Sequence, residues 1–430
     1  MLGLELRRGP WWLAGVAAAA VVWQVSTSMQ QMGVTLWAEA SRGVVYALVL
    51  LGPAAGALGA WAGGRDEQFG LHHLTAGAPR TPLTRHWTLL LAVSLPLTLG
   101  YVLGASPVLL RASRQATWGG PDIPLMLVGL VAIPAYVATG YVIGRLGRRW
   151  LTAPVVALGI YFGQYLLIVR SGSVDLLVPF PTGQFTPWLS RPDGVATSAV
   201  LWWTVVALAS VAALRVLVTT GRPDRGIALG VLAVVMAAAT LAASGVMRHQ
   251  AWAVERQSTT EQVCDEDGLP TVCVHPAYSA LLPETVALLR PVLAPLKGIQ
   301  GSPVLVEQAP FGINLLEAGR GQFSFPVVDG DTTPGPNLAF EVASMAVTGP
   351  CVLDIPVGYA AYDVETYPAA SAVATWMMRR LGVEPPVFMV PKVDRAARRF
   401  AQLDDRARRV WLEDHLQGLQ SCAVELSDLP

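Results

Sequence analysis

Seven apolar stretches of about 20 residues each fall within the first 247 positions of this 430-residue chain. A helix needs roughly 20 residues to cross a hydrocarbon core about 30 Å thick, and in lipid its backbone groups must bond to one another. The stretches run near 11–28, 43–62, 87–110, 123–144, 151–169, 198–218 and 226–246. Arg7 and Arg8 ahead of the first could serve a signal peptide. No small-x-small cleavage site follows around Val25–Ser26–Thr27–Ser28–Met29, so that stretch is expected to stay as an uncleaved first helix.

Composition agrees with a membrane chain. Hydrophobic residues make up 53% and charged residues 14%, against roughly 25% charged in average soluble domains, which argues against a single soluble globule. The formal net charge of zero divides at Met247. Residues 1–247 hold 16 Arg, no Lys and 8 acidic residues, a net of +8; residues 248–430 carry a net of −8. Two environments are implied, one lipid-bound and rimmed with Arg, the other solvated and acidic.

Arginine placement predicts orientation. With the N-terminus inside, the inner set is Arg7, Arg8, Arg65, Arg80, Arg85, Arg145, Arg148, Arg149, Arg215, Arg222 and Arg225, against Arg42, Arg111, Arg114, Arg170 and Arg191 outside. Seven spans then place residues 248–430 on the outer side of a plasma membrane. All four cysteines, Cys264, Cys273, Cys351 and Cys422, lie in that segment. An even set suits a disulfide framework in an oxidising compartment.

No carboxylate or histidine falls inside these seven stretches, so no proton relay or ion-coupled chemistry is expected from them. Gln24 and Gln164, with the prolines Pro53, Pro96 and Pro134, are the conspicuous non-aliphatic features at depth. Helix-to-helix hydrogen bonds and tolerated kinks are the simpler account of them.

Between the second and third stretches lies GRDEQFGLHHLTAGAPRTPLTRHW, residues 64–87. Asp66 and Glu67 are expected to open a short amphipathic helix with Phe69, Leu71 and Leu74 on its apolar side, ended by Gly77–Ala78–Pro79. His72 and His73 read as surface residues of that helix. The succession Arg65, Glu67, Gly70, Leu74, Pro79 and Arg80 resembles the coupling segment of permease subunits of ATP-binding-cassette exporters, in the drug and polysaccharide exporter class. In that class the segment docks onto the nucleotide-binding subunit. Residues 2–8 ahead of the first span also resemble the class, whereas Leu71 stands where the family usually has Thr.

Six such spans account for residues 1–218, and a seventh with an outer domain is an addition. The whole chain is similar to permease-like membrane proteins of GC-rich Gram-positive bacteria that end in an extracytoplasmic domain. The resemblance implies an ATPase subunit as partner and a pathway built with a second permease or as a homodimer. ATP would be used only through that partner, since no G-x-x-x-x-G-K-[ST] surrounds Lys297 or Lys392, the only lysines. No cofactor of its own and no nucleic-acid partner are expected.

The fold class expected is therefore an α-helical polytopic membrane domain, residues 1–247, followed by an extracytoplasmic α/β or α+β domain, residues 248–430. In the second, Gln262–Cys264 and Thr271–His275 flank Asp267–Gly268 and Pro270, a hairpin signal that sets Cys264 opposite Cys273. Of the three pairings open to four cysteines, this geometry favours 264–273 with 351–422. Helical periodicity follows at 284–291, 292–298, 338–347 and 369–381, with one amphipathic helix from 395 to 420. Strands are expected at 304–308 and 322–328.

No enzyme motif assembles. Cys264, Cys273, His275 and His249 could bind zinc, but the spacing fits no common knuckle and the compartment favours oxidation. Ser279, Ser324 and Ser344 lack triad context. Asp329 and Asp331 lack further calcium ligands, and Asp354, Asp363 and Glu365 read as an acidic face. The competing reading is a membrane-anchored extracytoplasmic sensing or binding protein.

Overall fold

The computed structural model describes residues 9, 11–30, 34–68, 82–147, 151–169, 178–180, 189–190, 195–219, 230, 255–256, 262–308, 320–323, 334–348, 367–383 and 390–430. The chain divides into two compact units. One comprises Met1–Gln30, Thr35–Phe185 and Leu189–Arg256; the other comprises Gln31–Val34, Thr186–Trp188 and Gln257–Pro430.

The first unit is a bundle of α1 (Trp11–Ser28), α2 (Trp37–Tyr46), α3 (Leu48–Gln68), α4 (Pro82–Gln115), α5 (Ile123–Gly147), α6 (Thr152–Val169) and α7 (Val195–Thr219), with β1 (Leu189–Ser190) paired antiparallel to β2 (Glu255–Arg256). Six helical stretches among the described residues are long and apolar enough to cross a membrane: Trp37–Arg65, Leu83–Gln115, Ile123–Gly147, Thr152–Val169, Val195–Val218 and Pro276–Leu296. The first five belong to the bundle. Trp11–Ser28 forms the helix expected there but is not among the six, and the expected seventh stretch lies outside the described residues apart from Gly230.

Large apolar side chains cover the outside of the bundle, including Leu99, Leu103, Val155, Phe162, Leu166, Leu201 and Leu208. Water-solvated monomers rarely present so continuous an apolar surface, and lipid solvates it without cost. The protein is a polytopic helical membrane protein.

Lipid offers helices no hydrophobic reason to associate, so close packing and polar contacts must hold them. Glycine supplies the first. A Cβ on Gly59 would stand 2.2 Å from the carbonyl oxygen of Val137, and one on Gly144 would stand 2.0 Å from that of Ala60. Helices α3 and α5 therefore run parallel with their backbones in contact. The α1–α4 pair repeats the device, with Gly100 against the Gly15 carbonyl and Gly104 against that of Ala19. Polar contacts supply the rest: Thr139 bonds Ser210 at 2.9 Å between α5 and α7, and the Gln164 amide of α6 donates to the Tyr136 hydroxyl of α5 at 2.7 Å.

The second unit carries a four-stranded sheet in the order β3 (Val263–Asp265), β4 (Thr271–Val274), β5 (Leu305–Gln308), β6 (Arg320–Phe323). The pair β3–β4 is antiparallel, and the other two pairs are parallel. The expected hairpin is present, with Cys264 directly opposite Cys273 and bonded to it. Cys422 is disulfide-bonded too, while Cys351 lies outside the described residues.

Helix α8 (Leu282–Leu293) links β4 to β5 and buries Thr285, Leu289 and Val292. It continues through Pro291 where two helical segments were expected, and it forms the centre of the sixth apolar stretch. Its polar side carries Glu284 and Arg290. Arg290 holds the hairpin by donating to Asp265 Oδ1 at 2.7 Å and to the backbone carbonyls of Asp265, Gly268 and Pro270. Those bonds hold the Asp265 carboxyl below the usual carboxylate range.

Four more helices follow: α9 (Pro336–Thr348), α10 (Pro368–Arg379), α11 (Pro391–Gln402) and α12 (Asp405–Gln420). The single helix expected over 395–420 is in fact two. Asp404 interrupts it by capping α12, its side chain accepting the Ala407 N–H at 2.7 Å. Trp376, Phe400, Trp411 and His415 form a continuous aromatic chain across α10, α11 and α12, with the Arg408 guanidinium over Trp376.

Candidate functional site

The segment 64–87 is flanked by α3 and α4, and the structure changes how it begins. Asp66 and Glu67 were expected to start a helix; instead they lie in the last turn of α3, which runs unbroken to Gln68. Gly63 and Gly64 do not stop the helix, because at Gly63 the backbone of α5 takes the place of a side chain. A Cβ there would meet the Tyr141 carbonyl oxygen at 2.2 Å. Arg65 is a helical residue of α3. Gly70, Leu74, Pro79 and Arg80, with His72 and His73, lie outside the described residues.

On the far side of the segment, α4 begins at Pro82, and one turn in it places His86 against the same residue. His86 Nδ1 lies 2.6 Å from the Tyr141 hydroxyl, and the two rings meet edge to face with centroids 5.8 Å apart. Both partners are buried, and the charged neighbours of His86 are Arg85 and Arg145. Tyr141 therefore engages the helix that leads into the segment through its backbone and the helix that leads out of it through its side chain. Both helix ends thus meet α5 at one residue.

No carboxylate or histidine was expected inside the membrane-spanning stretches, and this is corrected at Glu39 and His86, which fall within the longer apolar stretches Trp37–Arg65 and Leu83–Gln115. Each lies just outside an expected apolar run, at positions 86 and 39, but α4 and α2 extend past those runs and carry the side chains into the bundle. Glu39 is only 9% exposed. Around the end of the bundle that holds Glu39, Thr35 donates to Gln115 Oε1 at 2.8 Å, Arg111 donates to the same oxygen at 2.9 Å, and Ser41 Oγ accepts the Asp122 N–H at 3.1 Å. At mid-depth, Gln164 is buried beside Tyr136, whose ring packs on Trp203. Gln24, by contrast, is on the outside of α1.

In the second unit, the thiols of Cys264 and Cys273 are consumed by their disulfide, so they are not available as zinc thiolates. Among the described residues no group of three or more His, Cys, Asp or Glu side chains comes together as a metal site. His275 follows β4 and is fully buried; its backbone N–H donates to Gln308 Oε1 at 3.0 Å and its Nδ1 accepts the Ala277 N–H at 3.1 Å. Burial pushes its imidazole down to about 4. These bonds make it the cap of the following turn. Ser344 is buried inside α9, and Ser324, Asp329, Asp331, Asp354, Asp363, Glu365 and His249 lie outside the described residues.

No family model, curated protein or solved structure matches this chain.

Proposed function

We propose that this chain is the membrane-spanning subunit of an ATP-binding-cassette exporter, in which a separate ATPase subunit docks on residues 64–87. In this reading the N-terminus is inside, seven spans are formed by α1, the continuous α2–α3 stretch, α4, α5, α6, α7 and residues 226–246, and the disulfide-bearing unit is extracytoplasmic. Helix α8 is then a core helix of that unit. Arg65, Glu67, Gly70, Leu74, Pro79 and Arg80 form the docking segment, and a second permease or a second copy completes the pathway.

The observation that supports the reading most is the convergence of Gly63 and His86 on Tyr141. A loop that receives a mechanical stroke needs both of its ends fixed to the element that moves. Affinity purification of the full-length protein in mild detergent is the test. An ATPase should accompany the wild type and be lost from Glu67→Arg and Leu74→Asp. Absence of any ATPase from the wild-type complex would remove the proposal.

The alternative, a membrane-anchored sensing or binding protein, is favoured by the second unit having a buried core of its own, built on Val272, Leu289, Phe340, Met377 and Phe400. It predicts that residues 257–430 bind an extracytoplasmic ligand and that substitutions in 64–87 have no effect.

A further inference from the structure

Helices α1 and α2 are consecutive and meet where Gly43 approaches the backbone of Ser26. A Cβ on Gly43 would lie 3.0 Å from both the Cα and the carbonyl oxygen of Ser26, and 3.3 Å from Met29 Cβ. Glu39 precedes Gly43 by one helical turn on the same face, so it borders this seam. Two buried polar atoms there lack a hydrogen-bond partner: Ser26 Oγ and Glu39 Oε2. Ser26 is wholly buried and Glu39 is 9% exposed.

The charged surroundings are sparse. Arg42, on the same helix, is near enough to feel the Glu39 charge, yet Glu39 Oε2 accepts no hydrogen bond from it. Tyr46 lies further along the helix chain. From α4, Arg111 is committed to Gln115, and Arg114 is exposed; ahead of α5, Asp122 is committed to Ser41 and to the Leu125 N–H. The α1 side brings Ser26 and Met29 and no titratable group. An ionised carboxylate left with an unbonded oxygen in such a place pays a desolvation penalty that a single neighbouring cation does not cancel. A neutral carboxyl avoids the penalty and can donate its proton to a neighbouring oxygen.

We propose that Glu39 is a proton-binding site of the membrane unit: its carboxyl carries a proton while the α1–α2 seam is closed and releases it to water when the seam opens. This goes beyond the exporter reading and does not depend on it. It makes the seam an element whose position is linked to the pH at that end of the bundle.

The test uses the full-length protein in lipid nanodiscs and dicyclohexylcarbodiimide, which adds to protonated carboxyls in apolar surroundings, with adducts located by peptide mass spectrometry. Glu39 should be modified at neutral pH, where an exposed glutamate is ionised, and progressively less as the pH is raised. Glu39→Gln, isosteric with the neutral acid, should abolish that adduct and still fold. An unmodified Glu39 at about pH 6, in a sample whose other carboxyls react, would overturn the proposal. So would a Glu39→Gln protein that fails to fold while Glu39→Asp folds, because the ionised form would then be the one the structure requires.

Discussion

Gly140 lies so close to Gly56 that a Cβ on it would stand 2.0 Å from the Gly56 carbonyl oxygen. One turn on, Gly144 bears the same relation to Ala60, while Gly59 and Gly63 face the Val137 and Tyr141 carbonyls from the other helix. The contact is reciprocal, and no side chain can be inserted without separating two backbones.

Gly140→Val and Gly144→Val should therefore each destabilise the bundle by about 2 kcal/mol or more, the range of overpacking in a rigid core. Gly159→Val on α6, where a Cβ meets nothing within 4 Å, should leave stability unchanged. Thermal unfolding in detergent followed by size exclusion separates the outcomes; equal losses at all three positions would refute the close-contact account.

Loss of the His86–Tyr141 hydrogen bond should cost about 1 kcal/mol net. Tyr141→Phe and His86→Ala should be non-additive in a double-mutant cycle, since each removes the same contact. Unfolding in mixed micelles measures the coupling, and strict additivity would mean the bond contributes nothing.

Replacing Cys264 and Cys273 by Ser removes a short covalent loop from the second unit. The chain-entropy account expects a loss of about 2–3 kcal/mol. Urea unfolding of the full-length protein, read by proteolysis of residues 257–430, should show it, and reductant added to the wild type, which also opens the Cys422 disulfide, should lower stability by at least as much.

The pH dependence of the second unit should carry the mark of His275. Its folded-state value, about 4, is below its ordinary value of 6.5. The unfolded chain therefore takes up a proton that the folded chain refuses, and stability falls as pH drops from about 6.5 toward about 4, by up to about 3 kcal/mol. His275→Asn, whose side-chain oxygen can replace Nδ1 as the acceptor for Ala277, should flatten that slope. A slope unchanged in the variant would assign the effect elsewhere.

The apolar runs located the helices of the bundle because burial in lipid requires a long run and little else. Their ends were less legible: backbone hydrogen bonding carries α2 and α4 beyond the runs, and that extension buried Glu39 and His86. The same propagation drew Asp66 and Glu67 into α3. The glycine pairs 140/144 and 59/63 were written in the chain, yet spacing alone does not reveal which helix will accept them. In the second unit the Cys264–Cys273 hairpin followed from turn residues and local pairing, which act over a few positions. The break between α11 and α12 depended on Asp404 preferring an N-cap to a helix interior, a choice that amphipathic periodicity across 395–420 concealed.

The cross-linked hairpin also has a mechanical meaning. β3 is the first strand of its sheet in chain order, so a load entering that sheet from its N-terminal side reaches β3 before the other three strands. Because Cys264 and Cys273 face each other across the strands and Arg290 clamps the turn behind them, that tension cannot unzip β3 from β4 beyond the bond. Load on β3 crosses the disulfide into β4, which is paired to β5 inside the sheet, so the strand at the edge is held by the strand next to the centre.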